Sequence, residues 1–169
     1  MDGTNRSRRE FLSTTGMGFA ALLAESGLVA CTGNRSRPLI PQNSIPAWLT
    51  ELLDHLDSEE PMQAMRFFAP DATIRFAGSP AMPMEHGLAH ITRFNAQFKA
   101  CGHDMESAWA NTSECIMAGT VWFRDLSGPV YSSPFMGTVT CTAQRKVTNL
   151  TLIWDRGIVP DDYHIRFST

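Results

Sequence analysis

The sequence predicts an α+β domain, with helices on one face of a curved antiparallel sheet, in the order α-α-β-α-β-β-β-β. Three observations carry this prediction. Apolar residues recur at helical spacing in three segments before Ala100. From His103 onward they alternate in runs of eight or more residues, as strands do. The links between those later runs are short, which dictates antiparallel neighbours rather than crossovers.

The first 30 residues are read as an address rather than as part of the fold. Ser7-Arg8-Arg9-Glu10-Phe11-Leu12 resembles a twin-arginine export signal, and a modest apolar run broken by Gly16, Gly18 and Glu25 follows it. That run is too short and too interrupted for a membrane span, which needs about 20 apolar residues. Leu28-Val29-Ala30-Cys31 resembles a lipobox, in which the cysteine is acylated and becomes the new N-terminus. The other reading is a plain signal cleaved near Ala30. Residues 31–45, polar and rich in Pro and Asn, are expected to form a flexible tether. The expected location is therefore the periplasm or the outer surface of the cell membrane, with the lipid anchor as the only membrane contact.

The folded domain is expected over residues 46–157, one domain by size, with a tail at 158–169. The chain has a formal net charge of −3. Residues 1–30 hold as many basic residues (Arg6, Arg8, Arg9) as acidic ones (Asp2, Glu10, Glu25), so the domain keeps that charge. With no cluster of Lys and Arg, nucleic acid is excluded as a partner class.

Pro46–Leu56 opens with a first-turn proline and places Trp48, Leu49, Leu52, Leu53 and Leu56 on one helical face. A second helix is expected from Ser58 as N-cap, with Met62, Met65 and Phe68 inward, stopped by Pro70. Asp71–Ala77 alternates as a strand, with Ala72, Ile74 and Phe76 on one side and Thr73 and Arg75 on the other. After a Gly- and Pro-containing loop, Gly87–Lys99 forms a third helix through Leu88, Ile91, Phe94 and Phe98. Strands follow over residues 103–110, 115–124, 130–143 and 146–155. In the last, Val147 and Ile153 point one way and Leu150, Leu152 and Trp154 the other. In the second of the four, Ile116 and Trp122 oppose Met117, Val121 and Phe123. Neither face is plainly polar, so a second copy of the chain is expected to cover the outer one.

Beyond Cys31 the cysteines are Cys101, Cys115 and Cys141, with no C-x-x-C or zinc spacing. Two readings stand: all three are small buried hydrophobes, or Cys115 and Cys141 pair across neighbouring strands.

Three stretches carry a family resemblance. "MRFFAPDATIRFAG", "GLAHITRF" and "RKVTNLTLIWD" are similar, in order and spacing, to the first strand, third helix and last strand of the SnoaL-like group of the NTF2-like superfamily. The resemblance implies a cone, its sheet wrapped round three helices with a pocket at the open end, and dimerisation through the outer sheet face. It does not fix the activity, since relatives include cyclases, isomerases, dehydratases and pocket proteins without a reaction. The position matching the catalytic carboxylate of ketosteroid isomerases is Phe76, which cannot move a proton. The late-strand carboxylate of polyketide cyclases is matched by Asp155.

Two functions are therefore expected. The first is an exported pocket protein that binds a small, largely apolar molecule at the cell envelope, with Trp48, Phe68, Phe76, Phe94 and Phe98 as lining. The alternative is a cyclase-, isomerase- or dehydratase-type enzyme, with Asp155 as acid/base and His86 or His90 as its partner. Glu85, His86 and His90 lack a zinc-binding pattern, so no metal or cofactor is expected. Ser132 and Ser133 lack a nucleophile-elbow context.

Overall fold

A computed structural model describes residues 37–160. The export signal, Cys31 and the last nine residues lie outside them. The described elements are β1 (Ile40–Pro41), α1 (Ala47–Asp57), a 3-10 helix (Pro61–Phe67), β2 (Phe68–Phe76), β3 (Met82–Pro83), α2 (Met84–Asn95), β4 (Phe98–Ala110), β5 (Glu114–Asp125), β6 (Val130–Cys141), β7 (Val147–Trp154) and a short 3-10 turn (Arg156–Ile158). Three helices of the first half pack on a curved seven-stranded sheet, the expected fold class.

The sheet order is β1-β4-β5-β6-β7-β2-β3. The expectation of a wholly antiparallel sheet needs one correction: β2 runs parallel to β7, with Ile74 opposite Leu150 and Phe76 opposite Leu152. The sheet is mixed because the chain crosses from β2 through α2 and the whole meander before β7 returns beside it. Part of the expected tether also joins the sheet, since Ile40 and Pro41 pair with Ala110 and Trp109 of β4.

α1 follows Pro46 and buries Leu49, Leu52, Leu53 and Leu56 along one face. Ser58 does not open a second α-helix. It closes the first, because its backbone N–H and its hydroxyl both donate to the His55 carbonyl. The expected second helix is a tight 3-10 segment, and β2 begins before Pro70 rather than after it. The register of β2 against β7 shifts between Phe68 and Thr73, an irregularity that spares Pro70 a ladder hydrogen bond. α2 starts three residues earlier than expected and ends at Asn95, so Phe98 belongs to β4.

The core lies between the helices and the inner row of the sheet: Ile74 and Phe76, Met117, Val121 and Phe123, Phe135 and Val139, Leu150 and Leu152. Alternation predicts that Val147 shares a face with Ile153, opposite Leu150 and Leu152. A register shift between Thr140 and Cys141 turns it into the core, and only Ile153 stays outside.

Candidate functional site

α1 ends on an acidic residue, Asp57. A carboxylate there opposes the negative end of the helix dipole and needs donors. One residue of β4 supplies both. The backbone N–H of His103 donates to Asp57 Oδ2 at 2.9 Å, and its ring Nδ1 lies 2.7 Å from Oδ1. A carboxylate accepts, so Nδ1 carries a proton, and in the neutral ring the lone pair then sits on Nε2. The His103 ring also stands edge-on to Phe135, with centroids 4.7 Å apart, so packing and a hydrogen bond fix its plane together.

The neighbouring carbonyls of the helix end are satisfied in the same way. Asn95 Nδ2, at the end of α2, donates to the Leu56 carbonyl at 2.8 Å, and the Cys101 thiol lies 3.4 Å from the Asp57 carbonyl. Burial, and then the nearby Asp57 carboxylate, push the Cys101 pKa up to about 12, so it is a packed thiol and not a nucleophile.

Asp57 and His103 line an open-mouthed cavity of about 60 Å³. Its wall is mostly apolar: Leu56, Phe76, Ile91, Phe94, Val121, Phe123, Leu152 and Trp154, with Asn95, His90 and Arg156 as the other polar groups. The aromatic side is a single packed cluster. Phe94 meets Phe123 edge-on at 5.2 Å, and Trp154 lies 5.1 Å from Phe123 and 6.0 Å from Phe94. A concave apolar wall with a few convergent polar groups is the usual form of a small-molecule site.

Of the expected ligand-binding residues, Phe76 and Phe94 line this cavity. Phe98 is buried behind it against Phe94 and Phe123, and Phe68 is part of the core. Trp48 lines a separate, open recess at the other end of the strands, together with Cys115 and Cys141. Those two cysteines and Cys101 are all free thiols.

Of the expected catalytic residues, His90 lines the cavity. Burial, then Arg93 and His86, lower its pKa, so the ring is neutral at pH 7. His86 is exposed on α2. Asp155 is exposed and does not line the cavity; its carboxylate accepts from the Gly157 N–H at 2.9 Å, capping the last 3-10 turn. The structure therefore does not bring Asp155 to His90 across the cavity. Arg75 is exposed. Among the described residues no three His, Cys, Asp or Glu side chains group as a metal site.

The dyad of Asp57 and His103 was not anticipated from sequence. The signal was there. His103 shares its parity in β4 with Cys101 and Met105, the inward row, and Asp57 sits at the wrong end of a helix for an unpartnered acid.

No family model and no curated protein sequence matches the chain. The fold is shared with many solved structures. A protein from Catenulispora acidiphila with a ketosteroid isomerase-like fold, in complex with trimethylamine, superposes with a TM-score of 0.57 at 15% identity, over 64% of this chain and 85% of that one. A candidate SnoaL-like polyketide cyclase from Jannaschia sp. CCS1 gives 0.56 at 14% identity, over 68% and 91%. An NTF2-like protein from Exiguobacterium sp. 255-15 gives 0.54 at 14% identity, over 64% and 98%. At these identities the likeness extends to the fold.

Proposed function

We propose that this protein binds a small, largely apolar molecule in the cavity between α1, α2 and the sheet, and moves a proton on it with His103. One observation carries the reading: the 2.7 Å bond from His103 Nδ1 to Asp57 Oδ1, at a histidine that lines a mostly apolar cavity. The carboxylate selects the tautomer that leaves Nε2 basic, and it stabilises the imidazolium once Nε2 has taken a proton. His90 and Arg156, on the cavity wall, supply positive or donor character where charge collects on a substrate oxygen. Proton removal next to a carbonyl is shared by cyclase, isomerase and dehydratase chemistry, and the fold is one that a candidate polyketide cyclase also adopts. The role expected of Asp155 passes to the Asp57–His103 pair, because Asp155 is exposed and engaged as a turn cap.

The site of action in this proposal is the cell envelope. Arg8-Arg9-Glu10-Phe11-Leu12 directs export, and Cys31 carries the lipid that holds the domain there. Replacing Arg8 and Arg9 by lysine should leave the precursor in the cytoplasm; undiminished export of that variant would end this part of the proposal.

Exchange on a generic carbon acid tests the chemistry. In D2O, millimolar 2-tetralone should exchange its activated C–H protons faster with the protein than in buffer, followed by proton NMR. His103→Gln should abolish the excess rate. Saturable binding of 2-tetralone with no excess exchange would reduce the proposal to a binding protein. Absence of both would sink it.

A further inference from the structure

The two polar heads nearest the end of α1 are held by consecutive residues. Asn95 is anchored on the Leu56 carbonyl and His103 on the Asp57 carboxylate. Both anchors lie on the last residues of α1, and both side chains line the same cavity. Each anchor also decides which atom turns away from it. A carbonyl only accepts, so the amide nitrogen of Asn95 faces Leu56 and Oδ1 faces elsewhere. The carboxylate likewise takes Nδ1–H of His103, so in the neutral ring Nε2 is the acceptor.

Among the described residues, neither Asn95 Oδ1 nor His103 Nε2 has a hydrogen-bond partner. No buried side-chain nitrogen or oxygen there lacks one, so both atoms retain accessible surface. Asn95 and His103 both line the cavity with the Asp57 carboxylate, in a wall whose other members are mostly apolar, Leu56, Ile91, Val121 and Phe123 among them. This end of the cavity thus offers two acceptors set in an apolar wall.

We infer that this end of the cavity recognises a hydrogen-bond donor, and that the ligand is an apolar ring compound bearing a hydroxyl group, with Asn95 as the specificity-determining residue. The inference rests on the proposed function and narrows its substrate class. A hydroxyl gives its proton to Oδ1 or Nε2. An ether in the same place brings only lone pairs to lone pairs and strips both acceptors of water without replacement.

Calorimetric titration of the full chain with 5-indanol and with its methyl ether, 5-methoxyindane, separates the cases. The phenol should bind at least about tenfold more tightly. In Asn95→Leu that ratio should fall below about threefold, with the ether's affinity little changed. Asn95→Asp keeps an oxygen acceptor but gives up the N–H to Leu56. It should retain the preference even with a lower melting temperature, which a purely structural role for Asn95 would not do. Equal affinities for phenol and ether in the wild type overturn the inference whether or not either variant folds, and an unchanged ratio in Asn95→Leu overturns the role of Asn95. Failure of both probes to bind overturns the cavity reading and this inference with it. A strong phenol preference without 2-tetralone exchange supports the inference while the catalytic proposal fails.

Discussion

Asp57 gives both of its oxygens to a single residue, so its replacement has two separable effects. Asp57→Asn loses a charge-assisted pair and should cost about 1.5–3 kcal/mol of stability, read by urea denaturation. It also presents an amide that can donate to Nδ1, which moves the ring proton to Nε2 and turns the base into a donor. The exchange rate should then fall by about a hundredfold or more. His103→Gln should lose the rate but keep the backbone N–H to the carboxylate, and so part of the stability. The thiols give a second test at this scale. Burial first, then Asp57, raises Cys101 from 9.0 to about 12, and burial first, then Cys141, raises Cys115 from 9.0 to about 11. Above pH 9 the unfolded chain releases these protons while the folded one keeps them. The folded state then binds more protons, and stability falls as pH rises from 9 toward 11–12. Cys101→Ala should flatten part of that alkaline slope in denaturation curves taken between pH 8 and 11. Residue types were readable in the sequence, but not pairings: His103 and Asp57 lie 46 positions apart, and no local pattern joins them.

Elements were legible where one periodicity ran unbroken. α1 was, because its leucines mark one face without interruption. The segment after Ser58 was not, because Pro61 and a short apolar pattern suit a 3-10 helix as well as an α-helix, and only packing decides. Phe98 fits both the helix stripe and the first inward position of β4, and pairing with Asp125 claims it for the sheet. At Gly87, α2 presses on β2: a Cβ there would fall 1.9 Å from Ile74 Cγ2. Gly87→Ala gains about 1 kcal/mol in helix propensity but must displace a fully buried side chain. The net effect should be a loss of about 1–3 kcal/mol, seen as a lower melting temperature. Adding Ile74→Ala should make the pair strongly non-additive, since one methyl occupies the space the other vacates.

On the scale of the whole molecule, the inner sheet face carries the core, and the outer face sets apolar residues among polar ones such as Asp104, Thr120, Thr138 and Thr151. Trp109 and Ile116 stand in one cross-strand row, and Ala118, Met136 and Ile153 in the next. Ile153 is 41% exposed. Exposed apolar residues gathered on one sheet face favour an interface, and a two-fold pairing of this face would cover them with one another. The protein is expected to sediment as a dimer at micromolar concentration, and Ile153→Lys to shift it toward monomer with its ligand binding retained. The order of the strands along the meander was readable because their links are short. The neighbour of β2 was not, since alternation shows which residues share a face and not which strand lies alongside. That neighbour has a bearing on how the chain is made. Thr73 of β2 hydrogen-bonds Asn149 of β7, 76 residues later. During synthesis β2 emerges early and waits with an open edge while five more strands are translated, and Ile74 lacks its β7 flank until the last of them arrives. Contacts that distant in sequence form slowly, so the nascent chain passes through a stage in which nearly all of the domain exists but its first long strand remains open to the wrong partner.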